Sequence, residues 1–566
     1  NPSTGASNTI AAIIESLPTT QAAFRSTTDI QTLVDSITHT IEPKLRALDH
    51  HDNDHDDFLD SVFLAVAAAD FTTHESPSDP TTYKQFNIHP RRELFRKAML
   101  DELIQLIDTF SAFTPVLARD VKQEQRNDDK IRVIPTKWVW LTKFLATGDF
   151  NRLKARMVAC EAVGRFMVDN KWSPTIGMDS ARLIFVLAAL NECELLSLDV
   201  SGAYLRGKRR ADSANVYLRL PQGLEDVLAH PDCPPSLKQF RTRKRDGQPY
   251  LWRCDANLYG LQDAGAVWWA CARDWLLSLG FKQSTVDPCV FSLHRSNNLP
   301  TPEHHGPIQP PDFCIIGLYV GDTLGAYSST SIKLWYLKEF ETYFKQSPDS
   351  GSDHPEFIAI RFTVSDDKKT VRINTPKLWG RLRQRFGDMV LPEVTSPLPY
   401  SAMDLLYLPI SDSNPILTKE EFDAFGILGV ANWGVLACRP AESHAGALLA
   451  RRARVPTRSY AKCLTHYCAY LLAHKDDCLT YKIDPASPER DLRSLVDSSW
   501  GNCPETMRSW FGYCILWCGC AFSWRAKLQP CVALASRDAE AIAAVFAVKA
   551  TLGFLIMLDE LGFSPK

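Results

Sequence analysis

Two carboxylates in this chain stand where apolar runs end. Asp199 closes LLSLD and is followed by Val200-Ser201-Gly202-Ala203-Tyr204, while Asp322 follows CIIGLYVG, which begins at Cys314. Carboxylates fixed at strand ends by a rigid sheet are what nucleotidyl transfer by two metal ions about 3.5–4 Å apart requires. An aspartate at a strand end is also an ordinary turn former, so the pair alone is a weak signal. The segment RLKARMVA, with Lys154 and Arg156, is basic, and cations of the kind that grip phosphates occur as Arg206, Lys208 and Arg209 in RGKRR and as Arg241, Arg243 and Lys244 in KQFRTRKR. For the last two groups solvated loop charge is the plainer account. Two further acids, Asp497 in LVDSS and Asp538 in SRDAE, are placed like a strand end and a first helical turn. The alternating run Asp49–Asp57 (DHHDNDHDD) has metal-ligand chemistry but reads as a solvated linker. Cys514 and Cys518 would share one face of an extended strand, which suits core packing better than metal binding.

The elements that must hold these groups alternate between helix and strand. RRELFRKAMLDELIQLIDTF predicts a helix with Leu94, Met99, Leu103, Leu106 and Ile107 on one face. VIPTKWVWLTKFL predicts a strand, and the Asp199 and Asp322 segments predict two more. Pro-rich stretches at 229–249 and 297–311 predict surface loops, and FIAIRFTVSDDKKTVRINTP predicts a hairpin. Helices are expected over 423–440 and 459–473, then strands and a helix opening at Ser536. The fold class is therefore α+β. Residues up to about 85 carry short helical patches between Ser/Thr-rich stretches and read as an extension.

The ordered set RKAMLDELIQL, KWVWLTKF, RLKARMVA, LDVSGAYLRG, VYLRLPQGL, LYGLQDAGAVWW, GFKQSTVDPCVF and LYVGD resembles the reverse transcriptase of copia-type long-terminal-repeat retrotransposons. Eight collinear segments over about residues 90–390 make that resemblance specific. It implies a fingers-palm fold with a connection region and a truncated RNase H-like α/β domain. The implied division is 1–88 extension, 89–395 fingers and palm, 396–488 connection and 489–566 RNase H-like. Asp199 then matches the first catalytic aspartate, Tyr204 the residue that excludes ribonucleotides, and Lys154 with Arg156 the contacts to an incoming triphosphate. Mg2+ or Mn2+ would be held by Asp199 and Asp322, and no cofactor is expected unless the polymerase works.

Departures from the family pattern accompany the matches. Where the family has Tyr-x-Asp-Asp, this chain has Tyr319-Val320-Gly321-Asp322, so one metal-binding aspartate is Gly321. Asp263 stands in place of a nucleotide-facing glutamine, with Gly265 and Ala266 for proline and arginine, and its charge is expected to oppose a triphosphate. Asp497 and Asp538 match two RNase H carboxylates, and the sequence stops at Lys566 before the strand that would bring the third.

Composition sets limits. Of 566 residues 45% are hydrophobic and 23% charged, as in a multi-domain globular chain rather than a disordered one. Against 66 acidic residues stand only 63 basic ones, so any binding to nucleic acid must use local patches. Sixteen cysteines without C-x2-C pairs read as reduced thiols of an intracellular compartment, whether cytoplasm, nucleus or organelle. No apolar run approaches the ~20 residues of a membrane span. The chain begins at Asn1 rather than Met, which reads as a processed end from a targeting peptide or a polyprotein. Three functions fit: an inactive reverse-transcriptase-like component of a larger assembly with RNA and other proteins, an active polymerase, and a scaffold without nucleic-acid contact.

Overall fold

A computed structural model describes residues 79–128, 130–144, 150–161, 172–207, 215–242, 247–295, 312–344, 355–482 and 491–564. The helical patches near 9–17 and 29–37, the Asp49–Asp57 run and the 297–311 stretch lie outside them, as do Lys208, Arg209, Arg243 and Lys244.

The first sheet has five strands, in the order Phe113–Leu117, Tyr250–Cys254, Val216–Arg219, Arg132–Phe144 and Phe150–Ala159. In its long hairpin, Arg132–Phe144 is the segment whose β-branched and aromatic residues predict a strand, and the basic segment Phe150–Ala159 pairs with it as a second. Helix Arg92–Ile104 packs on this hairpin and runs into a π-helical turn, Gln105–Thr109. The face it buries is built on Phe95, Met99, Glu102 and Leu103, whereas Leu94, expected among them, is 59% exposed. The expectation counted Leu94 for its hydrophobicity, but Phe95 is four residues from Met99 and lies on the same stripe. The 229–249 stretch is not all surface. Its 3-10 turn, Pro235–Gln239, brings Leu237, with Phe240 just after it, into the same core as Trp252. That core also reaches back to Phe86, and Asp79 accepts from the Thr142 amide at 2.8 Å.

The second sheet is antiparallel, in the order Glu194–Asp199, Asp322–Tyr327, Asp312–Tyr319, Val290–Arg295 and Lys282–Gln283. Helix Met178–Leu190 is buried at every position from Ser180 to Ala189, because it lies between this sheet, a third sheet and a fourth. The third sheet runs Glu356–Phe357, Ile360–Val364, Thr370–Asn374 and Leu479–Lys482, and it contains the expected hairpin. The fourth runs Leu492–Ser498, Trp510–Trp517 and Cys520–Leu528, and helix Ser536–Glu560 packs on it. Side chains of the second, third and fourth sheets share one continuous core that includes Trp268, Phe362, Trp517 and Leu558.

Arg182 fastens these layers. Fully buried, it donates through Nε to the Phe522 carbonyl at 2.6 Å, through its other nitrogens to the Leu436 carbonyl and Asp179, and it lies 3.6 Å from the Trp524 ring centroid. A second core joins helices Pro376–Gln384, Ala424–Cys438, Ser443–Arg452 and Arg458–Ala473.

Two sequence expectations need correction. Ser536–Glu560 is one continuous helix of 25 residues containing an 18-residue stretch of mean hydropathy 2.2, long and apolar enough by length and composition to cross a membrane. Its acids are confined to the ends, but Lys549 divides the apolar stretch between them, which hides it from a count of uninterrupted apolar residues. Here it packs on the fourth sheet, and its far end reaches the second, where Glu560 accepts from the Ser284 hydroxyl at 2.6 Å. The strand of Cys514 ends at Trp517, and Cys518 occupies the hairpin turn with φ 49°, so the two do not share a strand face. Cys518 and Cys520 are nevertheless buried in the core. Ten of the fourteen tryptophans are buried.

Candidate functional site

The pairing of the second sheet sets Asp199 directly opposite Asp322 and Asp322 opposite Tyr319. The two loop residues between Tyr319 and Asp322 are Val320 and Gly321. Val320 has φ 51°, a left-handed conformation that β-branched residues rarely adopt. The strained turn is held from both sides: Trp268 Nε1 donates to the Val320 carbonyl at 2.5 Å, and the Val200 amide donates to the Gly321 carbonyl at 2.9 Å. After Asp199 the chain turns at Gly202, with φ 64°, where a Cβ would strike the Phe110 ring at 2.5 Å. Only glycine fits there. This turn opens the short helix Ala203–Arg206 that carries Tyr204.

Asp199 and Asp322 hydrogen-bond to each other, which requires a proton between them. Burial and the neighbouring Asp199 charge push Asp322 up to about 7, against a smaller pull from Lys377. Gly321 lies where a further carboxylate would complete the cluster. A Cβ built on it meets Asp199 Oδ1 at 3.4 Å and the Ala203 methyl at 3.2 Å. A two-ion centre needs more oxygen ligands than this pair offers, and among the described residues no group of three or more His, Cys, Asp or Glu side chains could hold a metal ion. The residues present do not fit such a centre.

Strand Phe150–Ala159 supplies the facing wall. Arg152, Lys154 and Arg156 alternate along it, opposite Lys143, Leu141 and Val139 of the neighbouring strand, so all six point to one face. Arg156 lies 4.9 Å from the Tyr259 ring centroid, and Tyr259 meets Tyr204 edge to face at 5.2 Å. Burial and the Arg156 charge lower Lys154, while Glu102 and Asp199 pull it back up. Burial and the crowd of Arg156, Lys154, Arg381 and Arg152 bring Lys143 down to about 8. Lys154, Arg156, Tyr204, Asp199 and Asp322, distant in sequence, thus gather in one cleft between the first and second sheets.

Sequence reasoning missed Glu102, Tyr259 and Lys143. Glu102 is a single acid on an otherwise apolar stripe, an anomaly visible in RKAMLDELIQL that the helical reading passed over. Other singled-out residues lie elsewhere. Arg206 is engaged in packing, donating to the Ser201 carbonyl at 3.0 Å and lying over Phe110 and Phe344. Arg241 is exposed and donates to the Lys238 carbonyl at 2.9 Å. Asp497 is exposed on the edge strand of the fourth sheet, and Asp538 is half-buried in the first turn of Ser536–Glu560.

Asp263 does not present its charge to the cleft as expected. Its Oδ2 accepts from Arg132 at 3.0 Å, and Arg132 is shared with Glu161 at 2.6 Å, whose other oxygen accepts from the Gln262 amide at 2.8 Å. The side chains of this triad are nearly or fully buried, and the Arg132 guanidinium, shared by both acids, offsets one of the two carboxylate charges.

A sheet ending in an aspartate pair, faced by a cationic hairpin and aromatic rings, brings together side chains of the kinds that meet nucleotides and phosphates. Residues 122–232 match the family described as reverse transcriptase (RNA-dependent DNA polymerase), a span that contains Lys154, Arg156, Asp199 and Tyr204 and ends before the Val320–Gly321 turn. The chain is similar to the Retrovirus-related Pol polyprotein from transposon TNT 1-94 of Nicotiana tabacum, with 24% identity over 499 residues, 86% of this chain. It is also similar to the Retrovirus-related Pol polyproteins from transposons RE1 and RE2 of Arabidopsis thaliana, at 23% identity over 72% of this chain in each case. It spans 33% of the length of the first relative and 25% of each of the others. The copia-type resemblance of the sequence is thus one of homology to retrotransposon reverse transcriptases.

Proposed function

We propose that this chain is a reverse-transcriptase-like protein that has lost polymerase activity and serves as a structural or RNA-associated component of a larger assembly. In this reading the first sheet corresponds to fingers, the second to palm, the helices around Ala424–Cys438 to the connection, and the fourth sheet with Ser536–Glu560 to an RNase H-like domain. The proposed division is 1–88, 89–395, 396–488 and 489–566. The location proposed is intracellular, with RNA and other proteins as partners and no membrane.

One observation carries the reading. At Gly321 a side chain would stand 3.4 Å from Asp199, and there is none, so Asp199 and Asp322 are left to share a proton instead of surrounding cations. Loss of a partner that merely orients a ligand commonly costs 10–100-fold in metal affinity or activity, and loss of a ligand costs more. The cationic wall of Lys154 and Arg156 survives beside Tyr204 and Tyr259, which supports retained binding of a nucleic acid or nucleotide.

The test is primer extension. Purified chain given a primed RNA template, deoxynucleotides and Mg2+ or Mn2+ is expected to extend nothing. Extension that disappears in Asp199→Ala would establish an active polymerase, a second reading favoured by the direct opposition of Asp199 and Asp322. A scaffold without nucleic-acid contact would show no RNA affinity at low salt.

A further inference from the structure

Of the three acids on helix Arg92–Ile104, Glu93 and Asp101 face solvent and Glu102 is 7% exposed. A buried carboxylate needs partners. Glu102 finds them on strand Phe150–Ala159, where the Met157 amide donates to it and the charges of Lys154 and Arg156 act on it. This is the strand that offers cations to the cleft, so Glu102 lies behind the cationic wall and within its field. We propose that Glu102 is a positioning residue that sets the anion affinity of the Lys154–Arg156 wall, neutralising part of its charge when ionised and releasing it to a phosphate when protonated.

The inference rests on the nucleic-acid-binding reading above. Burial raises Glu102 to about 7, outweighing the cations and the amide that lower it, so its charge changes near neutral pH. Other charged groups lie around it. From the strand it packs against and the adjoining one come Arg152, Lys154, Arg156 and Lys143; from the 255–263 segment comes Tyr259, held neutral because burial pushes its hydroxyl up to about 12; from the second sheet come Asp199 and Asp322, and from the short helix Ala203–Arg206 comes Tyr204. Lys143 and Asp322 titrate in a neighbouring range, so the measurement that matters is the difference between wild type and Glu102→Gln at each pH.

The experiment measures binding of a short oligothymidylate, whose phosphodiester charge is fixed between pH 6 and 8, to the full chain at low salt. At pH 8 Glu102→Gln is expected to bind about tenfold tighter than wild type, the size of one charge–charge term at moderate effective dielectric. At pH 6 the two converge. Glu102→Asp, which keeps the charge, is expected to keep a pH-dependent affinity. An unchanged ratio of affinities at both pH values overturns the proposal, as does weaker binding by Glu102→Gln throughout, the mark of a merely structural role. Lys154→Gln/Arg156→Gln is measured alongside: loss of binding there with no pH effect at Glu102 refutes the Glu102 role alone. Binding as tight as wild type by that double variant refutes the cleft as the nucleic-acid site.

Discussion

Replacing Asp322 by asparagine removes a charge and keeps a hydrogen bond, because the amide NH2 can donate to Asp199 as the protonated carboxyl does. The consequence follows from linkage. A carboxyl that titrates at about 7 in the folded chain and near 3.8 in the unfolded one holds its proton more tightly when folded. Its contribution favours folding fully below pH 4, fades as the pH rises, and is lost above 7. At about 1.4 kcal/mol per tenfold change the difference corresponds to ~4 kcal/mol, and solvent reaching a half-buried side chain lowers this to ~2–3 kcal/mol. Urea unfolding of wild type and Asp322→Asn across pH 4 to 8.5 is therefore expected to give equal stabilities at the acid end. The variant gains ~2–3 kcal/mol at pH 8, the difference building up between pH 4 and 7 and levelling off above. A variant less stable than wild type at pH 8, or a gain independent of pH, would refute the shared proton and with it the argument that this pair is frustrated without a further ligand.

Gly321→Asp would set a third carboxylate beside Asp199 and Asp322. Without cations it is expected to lower stability above pH 7, and Mn2+ titrated calorimetrically should bind it at least tenfold more tightly than wild type. Lys154→Gln/Arg156→Gln should weaken single-stranded RNA binding whatever the sequence and reduce the slope of log affinity against log salt by about 1–2, read by fluorescence anisotropy. Arg132→Met leaves Glu161 and Asp263 buried without their cation. A loss of about 3–5 kcal/mol at pH 8 that shrinks toward pH 4 in denaturant titrations is expected. Arg182→Met should be comparably destabilising, but nearly independent of pH, since it strands the Phe522 and Leu436 carbonyls rather than buried acids.

The sequence by itself determined the elements. Runs such as CIIGLY and LLSLD have the length and β-branched or aliphatic content of buried strands, and Asp312–Tyr319 and Glu194–Asp199 are where they were expected. The expected helices over 423–440 and 459–473 fall at Ala424–Cys438 and Arg458–Ala473 because Asp423 and Thr457 cap them through their side chains. It also determined the identities that matter at the turn, Gly321 and Asp322, since those are read letter by letter. What only the tertiary structure decided is which charges meet. Asp263 looked like a charge aimed at a nucleotide until Arg132, 131 residues away in the chain, was found across from it. Glu102 looked like one more surface acid of a helix until the strand carrying Lys154 and Arg156 closed over it. Local pattern records how each segment buries its apolar face, a property of neighbours three or four residues apart. The protonation of Asp322 and the partners of Arg182 depend on segments more than a hundred residues apart, brought together by packing that no single segment encodes.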